Sequence, residues 1–191
     1  MSLYLYLNEV WHAETWVGGG KIPINPASFY RSVDREGIYT PDENLIHKSN
    51  YDLTKLQPMI GVGPRGVKNL NVIGCTVNGR PMPNIRNADY YEEDGLILSF
   101  SSKFSNEIAV RMNKKACVKI VSLNALKDCI DRQLGVVSVA KYCSYTSDHQ
   151  RNHFLKSNLD SWQAEYRLFW ALAKRVEVDI PKGTAELERV W

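Results

Sequence analysis

The sequence predicts an α+β domain built on mixed or antiparallel sheets with a few short helices, and three observations carry that prediction. Short segments rich in β-branched and aromatic residues recur along the chain, at 3–10, 70–77, 96–102, 116–121, 136–145, 176–180 and 187–191. Turn signals punctuate them, above all Asn78–Gly79 and Asp94–Gly95. Against this β background, Leu123 to about Gln133 has a serine ahead of it and places Leu123, Leu126 and Ile130 on one helical face. The expected inventory is about eight strands with two or three short helices. The 191 residues, 44% hydrophobic and 24% charged, form a single domain (1–191) able to bury a core without staples.

Composition excludes several classes of function. A net charge of +3 is too small by itself to specify a nucleic-acid partner, although Lys114–Lys115 and Lys174–Arg175 are locally basic. Five Trp and ten Tyr supply ring faces for stacking, most of them destined for the core. Cys75, Cys117, Cys129 and Cys143 lie far apart with no C-x-x-C pair, which argues against a metal site and for reduced thiols. The N-terminus does not read as a signal peptide, and no apolar run approaches the roughly 20 residues that span a bilayer. A cytoplasmic protein with no membrane partner is expected.

Taken in order, Leu3–Val10 reads as a first strand, followed by Trp11, His12, Glu14, Trp16 and the triplet Gly18–Gly20. Polar and aromatic groups at a strand end beside a permissive turn fit a site, and equally a plain loop. Residues 21–25 are extended, with Pro23 favouring an edge. Asn25 fits a helix N-cap and Pro26 a first helical residue, and such a helix start presents N–H groups to an anion. Arg31 follows within two turns, with the donors to hold a phosphate. The polar stretch 34–54 reads as a long loop or lid with one helical turn after Pro41. Gly61–Gly66 matches G-x-G-x-x-G in spelling only, because Pro64 interrupts it and a strand-like segment follows.

The stretch 156–170 draws attention through Glu165 and Arg167, two apart and ahead of an apolar run. As a strand, its period of two puts Glu165, Arg167 and Phe169 on one face and Tyr166, Leu168 and Trp170 on the other. The competing reading makes 164–176 an amphipathic helix with both charges solvated.

Three features occur together in order: the Ile97–Ser101 strand, a strand–helix–strand unit over 116–145, and Lys156, Trp162 and Glu165–Leu168. This arrangement resembles the ADP-ribosyltransferase-like fold, and within it the DarT-type toxins that modify nucleic acid. The likeness covers about 95–170, with a looser match at 20–31. Trp162 stands closer to the Glu-aromatic-Arg strand than is usual there, and an Asn-Asp-Pro turn is missing from the N-terminal half.

The resemblance implies an NAD-dependent mono-ADP-ribosyltransferase that needs no metal. Cleavage of the nicotinamide–ribose bond passes through an oxocarbenium-like state, which a fixed carboxylate stabilises, and Glu165 takes that catalytic role. His12, Asn25, Ser28, Tyr30, Arg31 and Trp162 are the implied NAD contacts: Arg31 and the 25–28 turn for the pyrophosphate, Tyr30 and then Trp162 for the nicotinamide, and His12 for the ribose. The implied acceptor is a nucleic-acid base, in RNA or single-stranded DNA since a reactive nitrogen is hidden within a duplex, with a protein side chain as the open alternative. The implied setting is a bacterial toxin or phage-defence effector restrained by an antitoxin protein. The rival expectation is a non-catalytic nucleic-acid-binding or interaction protein that retains the fold.

Overall fold

The computed structural model describes residues 2–31, 43–57, 59 and 61–191, with the backbone alone at Arg31. The helical turn expected after Pro41 lies outside the described residues. In chain order the first half forms β1 (Tyr4–Leu7), α1 (Val10–Gly18), β2 (Gly20–Pro26), α2 (Ala27–Arg31), β3 (Leu45–Lys48), α3 (Leu53–Leu56), β4 (Val67–Val72), β5 (Thr76–Val77), β6 (Arg80–Pro81) and β7 (Ile85–Glu92). The second half forms β8 (Leu96–Ser101), α4 (Asn106–Arg111), β9 (Ala116–Ile120), α5 (Leu123–Leu134), β10 (Val139–Tyr142), β11 (Ser144–Thr146), β12 (Leu155–Ser157), a 3-10 turn (Asn158–Gln163), β13 (Glu165–Trp170), β14 (Val176–Ile180) and β15 (Ala185–Val190). The α+β class is as expected, with mainly antiparallel pairing and few short helices.

An eight-stranded sheet organises the chain, running β10-β13-β8-β1-β9-β15, with β2 on β8 and β14 on β2. At its centre β8 and β13 pair antiparallel from Glu165↔Ser101 to Trp170↔Leu96. The opposite edge of β8 is shared. Ser101 pairs with Tyr4 of β1, whereas Leu96 and Ile97 pair with Pro26 and Asn25 of β2. The sheet therefore forks along Leu98–Ser99–Phe100, with β1, β9 and β15 on one branch and β2 and β14 on the other.

Alternation along these strands sorts the side chains. Leu96, Leu98, Phe100, Leu168 and Trp170 join the main core with Trp16 of α1 and Leu126 and Ile130 of α5. Ser122 caps α5 through the N–H of Ala125, and Gly135 ends it in the left-handed region at φ 67. The indole of Trp170 donates to Asp131 (2.6 Å), tying the centre of the sheet to α5. Gln133 caps the outer edge of β14, giving and taking a bond with the backbone of Asp179 (2.7 and 2.8 Å). A second sheet, β3-β7-β4, is joined to the body by paired backbone bonds between His47 and Arg151, both 2.9 Å.

Several expectations change. The first strand stops at Leu7, and Val10–Gly18 is a helix whose Ala13 and Trp16 are buried. Helix α2 begins after Pro26, because Asn25 and Pro26 are drawn into β2 by pairing with β8. Residues within the expected lid form β3 and α3. The stretch 136–145 splits into β10 and β11, and 165–170 is a strand, not a helix.

Two outcomes follow. A Cβ at Gly95 would lie 2.3 Å from the Phe169 ring and 2.6 Å from the Trp170 carbonyl oxygen. Gly95→Ala is therefore expected to cost about 1–3 kcal/mol, measured by denaturant unfolding. His47 is buried, its Nε2 faces the N–H of Leu53 (3.4 Å), and burial followed by the neighbouring His149 lowers its pKa to about 4. The unfolded chain takes up this proton near pH 6.5 and the folded one does not, so stability falls as pH drops from 6.5 toward 4. His47→Gln should flatten the dependence of the urea midpoint over that range.

Candidate functional site

The cleft lies where the main sheet forks. Two adjoining cavities, about 190 and 60 Å³, share Leu5, Tyr6, Ser99, Met112, Gln163 and Glu165. The larger also reaches Tyr30, Glu43, Lys114, Lys156 and Arg167. Typical small-molecule pockets enclose roughly 300–1,000 Å³, so a large ligand would be held here at one end and lie open along the rest.

Pleat geometry builds the floor. Ser99 and Ser101 of β8 stand opposite Arg167 and Glu165 of β13 on the face away from the main core. The N–H of Glu165 donates to the Tyr145 hydroxyl (2.9 Å), and its carbonyl accepts from the N–H of Cys143 (2.9 Å). Ahead of it, Ala164 sits in the left-handed region at φ 46, ψ 52, and its carbonyl accepts from the Ser102 N–H (2.8 Å). That sharp turn brings Gln163 and Glu165 into the same cavity.

The Glu165 carboxylate is 6% exposed and densely partnered. Arg167 Nε donates to Oε1 (2.8 Å) and Nη2 to Oε2 (3.2 Å), while Lys156 Nζ donates to Oε2 (2.9 Å). Ser99 lines the same cavity and also favours the ionised carboxylate. Lys156 also donates to Gln163 Oε1 (3.0 Å), and Arg167 Nη1 to the His153 carbonyl (2.8 Å). A second carboxylate, Glu43, lies 3.2 Å from Lys156 Nζ and 2.5 Å from Arg167 Nη2, the latter off the line of a hydrogen bond.

These contacts set the charge states. Burial works against ionisation of Glu165, but Arg167 and then Lys156 more than offset it and hold the carboxyl well below the usual range. Lys156 is likewise opposed by burial, yet Glu165 and Glu43 raise it above an ordinary lysine. Burial pushes Cys143 and Tyr145 up to about 12, so neither is an anion near neutrality. Glu165 is thus a fixed negative charge at the floor of a cleft. It suits accepting a hydrogen bond and stabilising a neighbouring cation, and it is not poised to shuttle a proton.

Of the residues singled out in the sequence, Glu165 and Tyr30 line one cavity, together with Lys156 and Arg167. The others stand elsewhere or are already engaged. His12 is outside the cavity lining, and its Nδ1 accepts the Glu9 N–H (3.3 Å) at the start of α1. Asn25 lies in β2 opposite Ile97. Ser28 gives its N–H (3.0 Å) and hydroxyl (2.6 Å) to Asp94, so the start of α2 already holds a carboxylate. Trp162 carries the Arg111 guanidinium 3.9 Å from its ring centroid. The Arg31 side chain lies outside the described residues. Sequence reading missed Gln163 and Glu43; Gln163 was within reach from its place two before Glu165, whereas nothing local marks Glu43.

No group of three or more His, Cys, Asp or Glu suited to a metal ion occurs among the described residues. No helix there is long and apolar enough to cross a membrane. No family model, characterised protein or solved structure matches this chain.

An alanine in the left-handed region is strained by roughly 1–2 kcal/mol, which glycine avoids at some entropic cost in the unfolded state. Ala164→Gly is therefore expected to raise stability by up to about 1 kcal/mol. A marked loss in denaturant unfolding would show that Ala164 is not held in that conformation.

Proposed function

We propose that the chain is an NAD-dependent mono-ADP-ribosyltransferase in which Glu165 stabilises the ribosyl cation formed as nicotinamide departs. The observation carrying this reading is the buried, permanently charged Glu165 carboxylate in the same cavity as Tyr30, at the fork of the main sheet. The order of motifs along 95–170 supports an ADP-ribosyltransferase-like fold. In this reading the nicotinamide–ribose end enters the cleft beside Tyr30, and Glu165 hydrogen-bonds the ribose and offsets its developing positive charge. Lys156 and Arg167 hold the carboxylate in place; their N–H groups donate to Glu165, Gln163 and the His153 carbonyl and their charges pair with Glu43, so phosphate binding falls to other groups. A base of RNA or single-stranded DNA is the acceptor, and the biological setting is a toxin or phage-defence effector held in check by an antitoxin, acting in the cytoplasm.

One observation favours a second reading, a fold retained without catalysis. The same ion pairs that orient Glu165 also serve as a structural brace between β12, β13 and the segment leading into β3, and buried ion pairs confer specificity of fold in some proteins.

Incubation with NAD carrying label in its ADP-ribose moiety and separate pools of RNA, DNA and protein decides between them. Label is expected in a nucleic-acid pool, and Glu165→Gln should reduce it by at least about a hundredfold. Equal labelling by wild type and variant, or no labelling by either, would sink the transferase reading.

A further inference from the structure

Glu43 belongs to none of the motifs along 95–170, yet it sits in the same cleft. It is 8% exposed, stands two positions before β3, and lines the cavity with Glu165. Lys156 Nζ donates to Gln163 Oε1 (3.0 Å) and Glu165 Oε2 (2.9 Å) and forms an ion pair with Glu43 Oε1 (3.2 Å). Arg167 bridges the same two carboxylates, with Glu165 Oε1 at 2.8 Å and Glu43 Oε2 at 2.5 Å. Two cations thus alternate with two anions, and the buried cluster carries no net charge. Without Glu43 it would carry +1.

We propose that Glu43 is a positioning and charge-balancing residue of this cleft. By sharing Lys156 and Arg167 with Glu165, it leaves that carboxylate to meet a forming sugar cation with no surplus positive charge behind it. The inference rests on the transferase reading above. Its physical content is a pair of opposite effects. Surplus positive charge in a low-dielectric cleft raises the barrier to forming a cation there, and it strengthens binding of an anionic ligand. Loss of a brace alone would weaken both binding and turnover.

The test combines calorimetric titration with ADP-ribose and steady-state turnover of NAD. Glu43→Gln, which keeps the shape and removes the charge, is expected to bind ADP-ribose about threefold more tightly and to turn over NAD about tenfold more slowly. Glu43→Asp should restore turnover to within about threefold of wild type. Lys156→Gln, leaving the cluster at −1, should weaken ADP-ribose binding by about threefold, and the charge-balanced Glu43→Gln/Lys156→Gln double variant should return it toward the wild-type value. That last comparison carries the test if Glu43→Gln alone does not fold. Wild-type protein that binds ADP-ribose and turns over NAD, with Glu43→Gln unchanged in both or with binding and turnover falling together, overturns this inference alone. Wild-type protein that does neither overturns the transferase reading and this inference with it.

Discussion

A buried square of charge, with Glu165 and Glu43 alternating with Lys156 and Arg167, is the interaction on which the architecture around the cleft depends. Each of these side chains is 8% exposed or less. Placing them together is costly unless every charge is matched, because an unpartnered buried ion costs several kcal/mol. The matching draws on separate parts of the chain. Lys156 comes from β12, Glu165 and Arg167 from β13, and Glu43 from just before β3. The cluster can form only once these elements have met, and it then ties the body of the protein to the segment leading into the small sheet.

The fork in the main sheet provides the space in front of that cluster. Because β1 takes one end of β8 and β2 the other, Leu98–Ser99–Phe100 are paired on the β13 side while both flanking branches diverge on the other. Leu98 and Phe100 join the main core, and Ser99 lines the cleft with Glu165. The same alternation that gives the sheet its apolar face thus gives the cleft its polar floor. Ala164 adds a local contribution: its left-handed backbone turns the chain sharply from the 3-10 turn into β13, so that Gln163 and Glu165 both reach Lys156. Strain of this kind persists where surrounding contacts over-determine it, here the paired bonds from Ser102 to the Ala164 carbonyl.

The N-terminal elements show why local signals and placement diverge. Residues 25–28 carry a plausible anion-binding helix start, yet Asp94 occupies its donors. Asp94 arrives there because the neighbouring Gly95 fits closely against Phe169 and Trp170 of β13. Similarly, His12 has the chemistry of a ligand contact but closes a capping box with Glu9, since the strand stops at Leu7, three residues before its expected end, and a helix begins at Val10.

The amino-acid order alone determined the properties that are local. It specified the α+β character, the capped helix α5 and the turn at Asn78–Gly79, and, once 165–170 is a strand, the face on which Glu165, Arg167 and Phe169 lie together, because each depends on side-chain period or turn chemistry within a few residues. Tertiary structure alone decided which carboxylate would be Glu165's companion, which donors were already taken, and where the sheet would divide. Those outcomes depend on strand pairing and on charge balance between residues as far apart as Glu43 and Arg167, and no local pattern encodes a partner at that distance.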